Sequence, residues 1–347
     1  MIAATFTQGG NFEIKEVPRP EITKDEILLR VEATSICGTD TKIIRNGHRK
    51  LKDGEQIVLG HEFAGVIERA GSAVRKFAEG QAVGIAPNWG CGRCKPCQRG
   101  MANYCAEYQA FGITRDGSHT QWVRIPAPVI AQGNIHPLPD HVSWPAVSLA
   151  EPLSCVLGGQ TSVGLSAGES VLVYGAGPMG LLHILAARAA GAAVIIAADP
   201  HADRLEAARK LGATHIVKSD DNNIRSRVEE ITGGLGLDVV ITAVPAPAIV
   251  PEGLSLLGIF GRLCLFAGLP KDRAIAGLDG NLIHYKNLTV TGTTGGCNVD
   301  YAKALELITS GAVPVEGIIS HRFSLEQLPE AYETALASRG MKIVITS

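Results

Sequence analysis

The stretch that decides the fold is residues 171–200, VLVYGAGPMGLLHILAARAAGAAVIIAADP. It begins with a short apolar run, residues 171–174, which is rich in β-forming residues and too short for a helix, so we predict a buried strand. A glycine-rich turn follows, then an apolar helical segment over 181–190 and a second strand over 194–198. This order of strand, turn, helix and strand predicts one βαβ unit of a doubly wound parallel sheet.

The glycines of the turn have separate mechanical roles in binding a dinucleotide. Gly175 makes the tight turn, Gly177 lets the backbone approach a pyrophosphate, and Gly180 lets the helix pack closely on the strand. The helix N-terminus then offers free N–H groups and a positive dipole end to the pyrophosphate. We therefore assign the turn, including Pro178 and Met179, to cofactor binding.

An acidic residue, Asp199, ends the second strand, where a carboxylate accepts the ribose hydroxyls of NAD and repels the 2′-phosphate of NADP. Arg204 completes the predicted cofactor-binding set. The alternative interpretation of residues 171–198 is a membrane span. The glycines, a proline, His183 and Arg188 argue against it, because a span needs about 20 uninterrupted apolar residues. We favour dinucleotide binding.

The length, net charge and cysteine content of the chain favour two domains and argue against several functional classes. The chain has 347 residues, and its net charge is −2, from 32 Lys+Arg and 34 Asp+Glu. No block of like charge suggests nucleic acid or a membrane surface. The N-terminus lacks the pattern of a secretory signal, so we expect a cytoplasmic protein. The eight cysteines are then thiols, metal ligands or catalytic groups rather than disulfides.

The remaining hydrophobic pattern predicts a β-rich domain around the doubly wound one. Short strands at 12–17 and 26–33 open the chain, and helix 301–310 and strand 342–346 return to that first domain. We place the first domain at 1–150 and 296–347 and the nucleotide-binding domain at 151–295. The second domain is predicted to have strands near 171, 194, 215, 238, 262 and 288, and helices at 204–211, 222–232 and 248–257.

Two separated motifs in the first domain offer ligands for a metal. Cys37 lies at the end of a predicted strand, and His61-Glu62 follows about two dozen residues later. A lone cysteine is commonly inert core packing. Taken together, however, a thiolate, an imidazole and a carboxylate are the ligand set of a catalytic zinc that keeps one position open.

Four cysteines on a loop broken by Gly and Pro form a stronger metal signal. They are Cys91, Cys94, Cys97 and Cys105. Their spacing lets all four reach one tetrahedral centre, and closed all-cysteine zinc sites are structural. An iron–sulfur cluster and a redox pair are the alternatives.

Glu151 stands in an otherwise apolar run. A buried carboxylate without a partner is costly, so a metal would explain it. A favourable interaction with a helix N-terminus would explain it equally well.

Several motifs in one order resemble the zinc-dependent medium-chain alcohol dehydrogenase family over essentially the whole chain. The motifs are Cys37-Gly-Thr39-Asp40, Gly60-His61-Glu62, the four cysteines, Glu151-Pro152-Leu153-Ser154 and the three-glycine turn. The Glu151 motif is similar to the sorbitol (polyol) dehydrogenase branch. The resemblance implies an α/β protein with a GroES-like β-rich catalytic domain and a Rossmann domain.

The family also implies a role for each matching residue. Cys37, His61 and Glu62 would be ligands of a catalytic zinc, and Glu151 would be a further ligand or would hold the zinc's water. Thr39 would form a hydrogen bond with the substrate oxygen and pass the substrate's proton outward. Asp40 would fix the orientation of the His61 ring. The zinc would lower the pKa of an alcohol, which would then pass hydride to the nicotinamide.

Two departures from the family pattern bear on the substrate. Lys42 stands where many relatives have a histidine that ends the proton relay. Residues 293–297 (TTGGC) replace the Arg-Tyr pair with which polyol dehydrogenases grip substrate hydroxyls. The basic loop at 45–52 is either a solvated loop or a site for an anionic substrate.

Together these observations predict a dehydrogenase that carries one catalytic zinc and one structural zinc per chain and oxidises a polyol or sugar-derived alcohol with NAD. The alternatives are a threonine-dehydrogenase-like enzyme, a sugar-acid or sugar-phosphate dehydrogenase, and a non-catalytic dinucleotide-binding protein. We expect a homo-oligomer, either a dimer or a tetramer.

Overall fold

A computed structural model of the chain describes residues 1–219 and 223–347. In these ranges the strands are β1 (Ile2–Thr7), β2 (Phe12–Glu16), β3 (Ile27–Ile36), β4 (Gln56–Val58), β5 (Glu62–Ala70), β6 (Ala82–Ile85), β7 (Asn88–Trp89), β8 (Gln109–Ala110), β9 (Trp122–Ile125), β10 (Ile135–Pro137), β11 (Ser170–Tyr174), β12 (Val194–Asp199), β13 (His215–Lys218), β14 (Leu237–Thr242), β15 (Leu257–Leu265), β16 (Thr289–Gly292), β17 (Ile319–Ser324) and β18 (Lys342–Thr346).

The α-helices are α1 (Gly38–Asn46), α2 (Lys95–Gln98), α3 (Ala127–Ala131), α4 (Trp144–Val147), α5 (Ala150–Ser162), α6 (Pro178–Ala189), α7 (Ala202–Leu211), α8 (Ile224–Thr232), α9 (Ile249–Leu256), α10 (Gly280–Lys286), α11 (Asn298–Thr309) and α12 (Leu328–Leu336). Short 3-10 turns lie at Ala102–Tyr104, Lys271–Arg273, Val315–Ile318 and Leu325–Gln327.

The chain divides into two compact units. One comprises residues 1–154 and 296–347, and the other comprises residues 155–295. The sequence boundary between the predicted domains lies a few residues earlier, at 150/151, inside the first turn of α5.

The second unit is a doubly wound parallel sheet. Within the described residues its strand order is β13-β12-β11-β14-β15-β16, and each neighbouring pair is parallel. The order in which strands are added to the sheet reverses between β11 and β14, and sheets of this kind bind ligands at the carboxyl ends of the strands at that point. The central strands are nearly continuous runs of buried β-branched and aliphatic residues, because helices cover both faces.

The predicted elements of this unit are present, with shifted ends. The helix predicted at 181–190 begins earlier, at Pro178, because proline is favourable in the first turn of a helix, where its missing N–H is not needed. The strand predicted at 262–266 begins at Leu257, and its pairing with β14 shifts register after Leu237. Asn222, the first residue of one predicted helix, lies outside the described residues; α8 begins at Ile224.

The first unit is built on a mixed sheet with the order β10-β6-β5-β3-β18-β17, and β9 also pairs with β3. The predicted strand at 26–33 extends to Ile36, directly before Cys37. A second, smaller sheet has the order β2-β1-β4. Buried aliphatic and aromatic side chains fill the space behind β3 and β5, among them Phe63 and Ile67.

The C-terminal segment completes this sheet. Strand β18 has the bounds predicted from the sequence and pairs antiparallel with β3, so that Ile343 lies opposite Ile36. Strand β17 and helix α12, which the sequence analysis did not predict, pack beside it. No helix in the described part of the chain is both long and apolar enough to cross a bilayer.

Candidate metal centre and nucleotide-binding turn

Three metal-ligating side chains meet in the first unit where two antiparallel strands run side by side. Cys37 follows β3 and caps α1, and His61 directly precedes Glu62, the first residue of β5. The strands pair with Ser35 opposite Glu62. The sulfur of Cys37, a ring nitrogen of His61 and a carboxylate oxygen of Glu62 consequently lie within 4.8 Å of one another.

The imidazole of His61 lies between a thiol and a carboxylate. Its Nδ1 is 3.6 Å from Oδ1 of Asp40 and has no hydrogen-bond partner, which leaves Nε2 as the ring nitrogen that can bind a metal. Burial lowers the pKa of His61, but the negative charges of Cys37 and Asp40 outweigh burial and raise the pKa well above its usual value. Surroundings that favour a cation in this way suit a divalent metal.

Asp40 contacts two of the candidate ligands, Cys37 and His61. It is fully buried, and its Oδ2 accepts a hydrogen bond of 2.9 Å from the backbone amide of Cys37. Because its other oxygen faces Nδ1 of His61, the carboxylate is placed to orient the ring, as imidazoles that bind metals require.

Glu62 is fully buried, and one of its two oxygens is already engaged. Ser35 donates a hydrogen bond to Oε2 of Glu62, and the ammonium group of Lys342 forms an ion pair with the same oxygen. The other oxygen, Oε1, is buried without a hydrogen-bond partner. Leaving a carboxylate oxygen in this state is costly, and a metal ion would satisfy it. The donor set therefore fits a metal bound through Oε1.

Lys342 and Ser35 were missed in the sequence analysis. Lys342 opens β18 and is 4% exposed, and its Nζ also donates to the carbonyl oxygen of Ile36 at 3.3 Å. Burial lowers the pKa of Lys342, but the charges of Glu62 and Cys37 outweigh burial and raise it. The sequence holds one signal for this residue, a lysine at the start of an otherwise apolar strand.

Glu151 lies in the first turn of α5, outside the group of three ligands. Its charge still reaches that group, because it adds to the effects of Cys37 and Asp40 in raising the pKa of His61. Burial and the charge of Glu151 raise the pKa of Tyr301, a fully buried tyrosine. Glu151 is therefore not part of the group of three, although its charge acts on that group.

Thr39 is the second residue of α1, in the first helical turn, which Cys37 caps. It is half-buried, and its amide donates to the sulfur of Cys37 at 3.4 Å. Lys42 is exposed on α1. A proton passed outward along this helix would therefore reach solvent near Lys42.

The four cysteines form the second cluster of potential ligands in the described residues. Cys91, Cys94, Cys97 and Cys105 have their sulfurs within 4.8 Å of one another, and all four are free thiols. Hydrogen bonds from the backbone amides of Arg93 and Cys94 lower the pKa of Cys91 to about 7. A closed set of four sulfurs is the arrangement expected for a structural zinc.

The loop backbone is shaped to let this cluster close. A Cβ atom at Gly90 would overlap the sulfur of Cys97 and lie 2.9 Å from Cβ of Cys105. The sequence analysis predicted a loop broken by glycine and proline but did not predict this close packing of Gly90 against the cysteines. Arg93, by contrast, turns outward and pairs with Glu107 at 3.0 Å.

The glycine-rich turn in the second unit has the predicted geometry. Gly175 has a φ of 97°, a left-handed conformation that favours glycine. Gly177 caps α6, and Pro178 and Met179 open the first turn of that helix. Gly180 lies against the backbone of Gly175, which allows α6 to start directly beside β11.

Asp199 at the end of β12 is buried and supports the turn. Its Oδ2 accepts a hydrogen bond of 2.8 Å from the amide of Ala176, and its Oδ1 accepts one of 2.9 Å from His201. Nη1 of Arg204, on α7, lies 3.9 Å from Oδ2. The structure thus brings the acid and the arginine of the predicted set together beside the glycine-rich turn.

Two features bear on substrate recognition in the first unit. Arg45 of the basic loop donates to the carbonyl oxygen of Leu336 at the end of α12, so its role is at least partly structural. Gly296, at one position of the missing Arg-Tyr pair, lies so close to α5 that a Cβ atom would be 2.9 Å from the carbonyl carbon of Ser154. A gripping side chain has no room at that position.

Comparisons with known proteins agree with this arrangement. The family described as alcohol dehydrogenase GroES-like domain matches residues 23–140, and the family described as zinc-binding dehydrogenase matches residues 178–310. The sorbitol dehydrogenase of Bacillus subtilis (strain 168) is 33% identical over 338 residues, which cover 97% of this chain and 94% of the relative.

Other relatives carry different activities in their names. An L-threonine 3-dehydrogenase of Pyrococcus horikoshii is 33% identical over 352 residues, covering 99% of this chain and 98% of the relative. Among solved structures, a zinc-binding dehydrogenase from Sinorhizobium meliloti 1021 bound to NADP is 31% identical, with a TM-score of 0.89 over 100% of this chain and 99% of that one.

Proposed function

The chain belongs to the zinc-dependent medium-chain alcohol dehydrogenase family, and we propose that it oxidises a secondary hydroxyl of a polyol or sugar-derived substrate with NAD as hydride acceptor. The observation that carries the proposal is the convergence of Cys37, His61 and Glu62 within 4.8 Å of one another. Thr39 is held beside them by the hydrogen bond from its backbone amide to the sulfur of Cys37. A fold kept only for binding a dinucleotide has no use for such a set.

The residues divide the work between holding a metal and moving a proton. The sulfur of Cys37, Nε2 of His61 and Oε1 of Glu62 would hold the metal, and Asp40 keeps the imidazole in its orientation. A zinc ion bound there would act as a Lewis acid and would lower the pKa of a bound alcohol toward neutral pH. The hydroxyl of Thr39 takes the proton from the substrate and passes it toward solvent past Lys42.

The cofactor is proposed to be NAD because of Asp199. Its carboxylate lies at the end of β12, where the ribose of a dinucleotide is bound in such sheets, and a negative charge there repels a 2′-phosphate. Arg204 lies close to the same carboxylate, and its positive charge would tolerate a phosphate. Because the relative from Sinorhizobium meliloti 1021 was solved with NADP, turnover of this protein is compared with both cofactors.

A second candidate activity is the oxidation of an amino alcohol such as threonine. It is favoured by the L-threonine 3-dehydrogenases, which are as similar to this chain as the sorbitol dehydrogenase is. The lack of room for a side chain at Gly296 also separates this chain from polyol dehydrogenases that carry the Arg-Tyr pair. An acidic or phosphorylated polyol is the third candidate, through Arg49, Lys50 and Lys52, which are exposed on the basic loop.

The test is the rate of NAD reduction, followed by absorbance, across one panel of alcohols. The panel holds sorbitol, xylitol, galactitol, inositols, L-threonine, sugar acids and phosphorylated polyols, and each is repeated with NADP. We expect a neutral polyol to give the highest kcat/KM. Threonine or an anionic substrate giving the highest value would replace the polyol assignment with the corresponding candidate.

The control for the metal is a Cys37→Ala variant of the same protein. It should keep its fold and its dinucleotide binding and lose turnover with every substrate. Absence of turnover in the wild-type protein, despite bound zinc and NAD, would instead support a non-catalytic dinucleotide-binding protein.

A further inference from the structure

A lysine ammonium group lies at the candidate metal centre, where it contacts one oxygen of Glu62. Lys342 and Ser35 both engage Oε2 of Glu62, while Oε1 has no hydrogen-bond partner. The carboxylate is therefore divided, with one oxygen held by the protein and the other left for a metal.

The charge of Lys342 is almost completely shielded from water. The side chain is 5% exposed, and its further hydrogen bond is to the carbonyl oxygen of Ile36. Glu62 is fully buried as well, so each charge depends on the other in the absence of a metal. Removing one partner of such a pair leaves an uncompensated buried charge, which is strongly destabilising.

A divalent ion at the same carboxylate would share it with the lysine. Cys37, Glu62 and Glu151 bring negative charge to the centre, and Lys342 cancels one unit of it. Two cations that approach one carboxylate repel each other, and in a site closed to water this repulsion is weakly screened. Lys342 therefore stabilises the metal-free protein and lowers the affinity of the centre for a metal ion.

We propose that Lys342 is an internal counter-ion for Glu62, and that it competes with zinc for the charge of this carboxylate and so sets the metal affinity of the centre. The inference rests on the proposed zinc site, but not on the identity of the substrate. Because Lys342 opens the last strand of the chain, it also makes metal binding depend on the docking of β18 against β3.

The experiment compares wild-type protein with Lys342→Met, which keeps the length of the side chain and removes its charge. Zinc affinity is measured by competition with a coloured chelator, and thermal unfolding is followed with and without metal. A Cys37→Ala variant identifies the binding step that belongs to this centre rather than to the four cysteines.

Lys342→Met is expected to melt several degrees lower than wild type without metal. Its zinc dissociation constant at the Cys37 centre should be lower by about tenfold or more, because one repulsive charge is gone. Zinc should consequently raise its melting temperature more than it raises that of wild type.

Three further variants separate charge from packing. Lys342→Arg keeps the charge and should retain the wild-type zinc affinity. Lys303→Met breaks an exposed pair with Glu306 (3.3 Å) and should change neither measurement. In the double variant Lys342→Met/Glu62→Gln both charges are gone, and the metal-free melting temperature should recover toward wild type.

Zinc affinity in Lys342→Met that is unchanged or weaker, with a clear Cys37-dependent step in wild type, would overturn this inference and leave the proposed function standing. Absence of that step in wild type would instead overturn the metal centre of the proposed function. If Lys342→Met does not fold, folding of the double variant supports the counter-ion role, and failure of both variants contradicts it.

Discussion

The backbone of Gly180 lies directly against the carbonyl group of Gly175: a Cβ atom at position 180 would overlap that oxygen and lie 2.8 Å from the carbonyl carbon. Position 177 differs, because a Cβ atom there would meet nothing within 4 Å and its φ is −75°. The absence of a side chain is therefore required for a different reason at each of the two positions. One glycine is required by the packing of α6 on β11, and the other is required only when a cofactor is present.

The first prediction separates these two roles by alanine substitution. Gly180→Ala should reduce the free energy of unfolding by about 1–3 kcal/mol or more, because the turn must open to admit a methyl group. Gly177→Ala should melt like wild type and bind NAD at least about tenfold more weakly, because its methyl group obstructs the pyrophosphate. Calorimetry and fluorescence titration measure the two effects. Equal stability of the two variants would contradict the assignment.

The second prediction concerns the proton path from the substrate. Thr39→Val removes the hydroxyl of this side chain and nearly preserves its volume, and it leaves the hydrogen bond from the backbone amide to Cys37 in place. We expect kcat to fall by about 100-fold or more, with zinc content unchanged, because a positioned proton acceptor is lost. Thr39→Ser keeps the hydroxyl and should retain most of the activity. A Thr39→Val enzyme as active as wild type would remove Thr39 from the mechanism.

The third prediction tests the choice of cofactor at Asp199. Asp199→Asn removes the negative charge and keeps one oxygen that can accept the hydrogen bond from the amide of Ala176, so the turn should survive the loss of the second hydrogen bond, from the amide of His201. We expect the ratio of kcat/KM for NADP to that for NAD to rise by about tenfold or more, because repulsion of the 2′-phosphate is relieved. Adding Arg204→Ala should reverse much of the gain. An unchanged ratio would argue against Asp199 as the selector.

The fourth prediction is a loss of stability in acid that originates in the second unit. His183 is fully buried, its Nε2 has no hydrogen-bond partner, and its ring packs edge-on against Phe266 at 4.5 Å. Burial lowers the pKa of His183 from 6.5 to about 3. Its contribution to stability is therefore complete above pH 6.5, the value in the unfolded chain, and is lost as the pH falls from 6.5 toward about 3.

Between pH 7 and pH 5 this residue should cost the second unit about 2 kcal/mol of unfolding free energy. Urea unfolding at the two pH values measures the loss. His183→Leu removes the titrating group, so its loss over the same interval should be smaller than that of wild type by this amount. An identical loss in both proteins would show that other groups dominate the acid response.

The doubly wound sheet was predictable because its information is local. The β-forming runs of β11 and β12, the glycines between them and the acid that follows lie within thirty consecutive residues. The strand, the turn, the helix and the second strand therefore follow one another directly along the chain, and a local pattern is enough to predict them. Element ends were less predictable. Strand β15 begins at Leu257, the last residue of the helix predicted at 248–257 and well before the strand predicted at 262, because pairing with β14 extends the strand toward its N-terminus.

The candidate metal residues were predictable as residue types, since Cys37, His61, Glu62 and the four closely spaced cysteines stand out by their chemistry. Glu151 was a weaker case, because the same sequence fits a metal partner or a helix N-terminus, and the structure places it beside the group of three rather than in it.

By itself, the sequence determined the fold class, the family and the set of candidate ligands, because those depend on residue types, spacing and short-range pattern. Only the tertiary structure decided which groups surround each ligand. Lys342 lies 280 residues from Glu62 along the chain and meets it only because β18 pairs with β3 and β3 pairs with β5. A contact of that kind depends on strand pairing over long sequence separations, and no local pattern of residues records it.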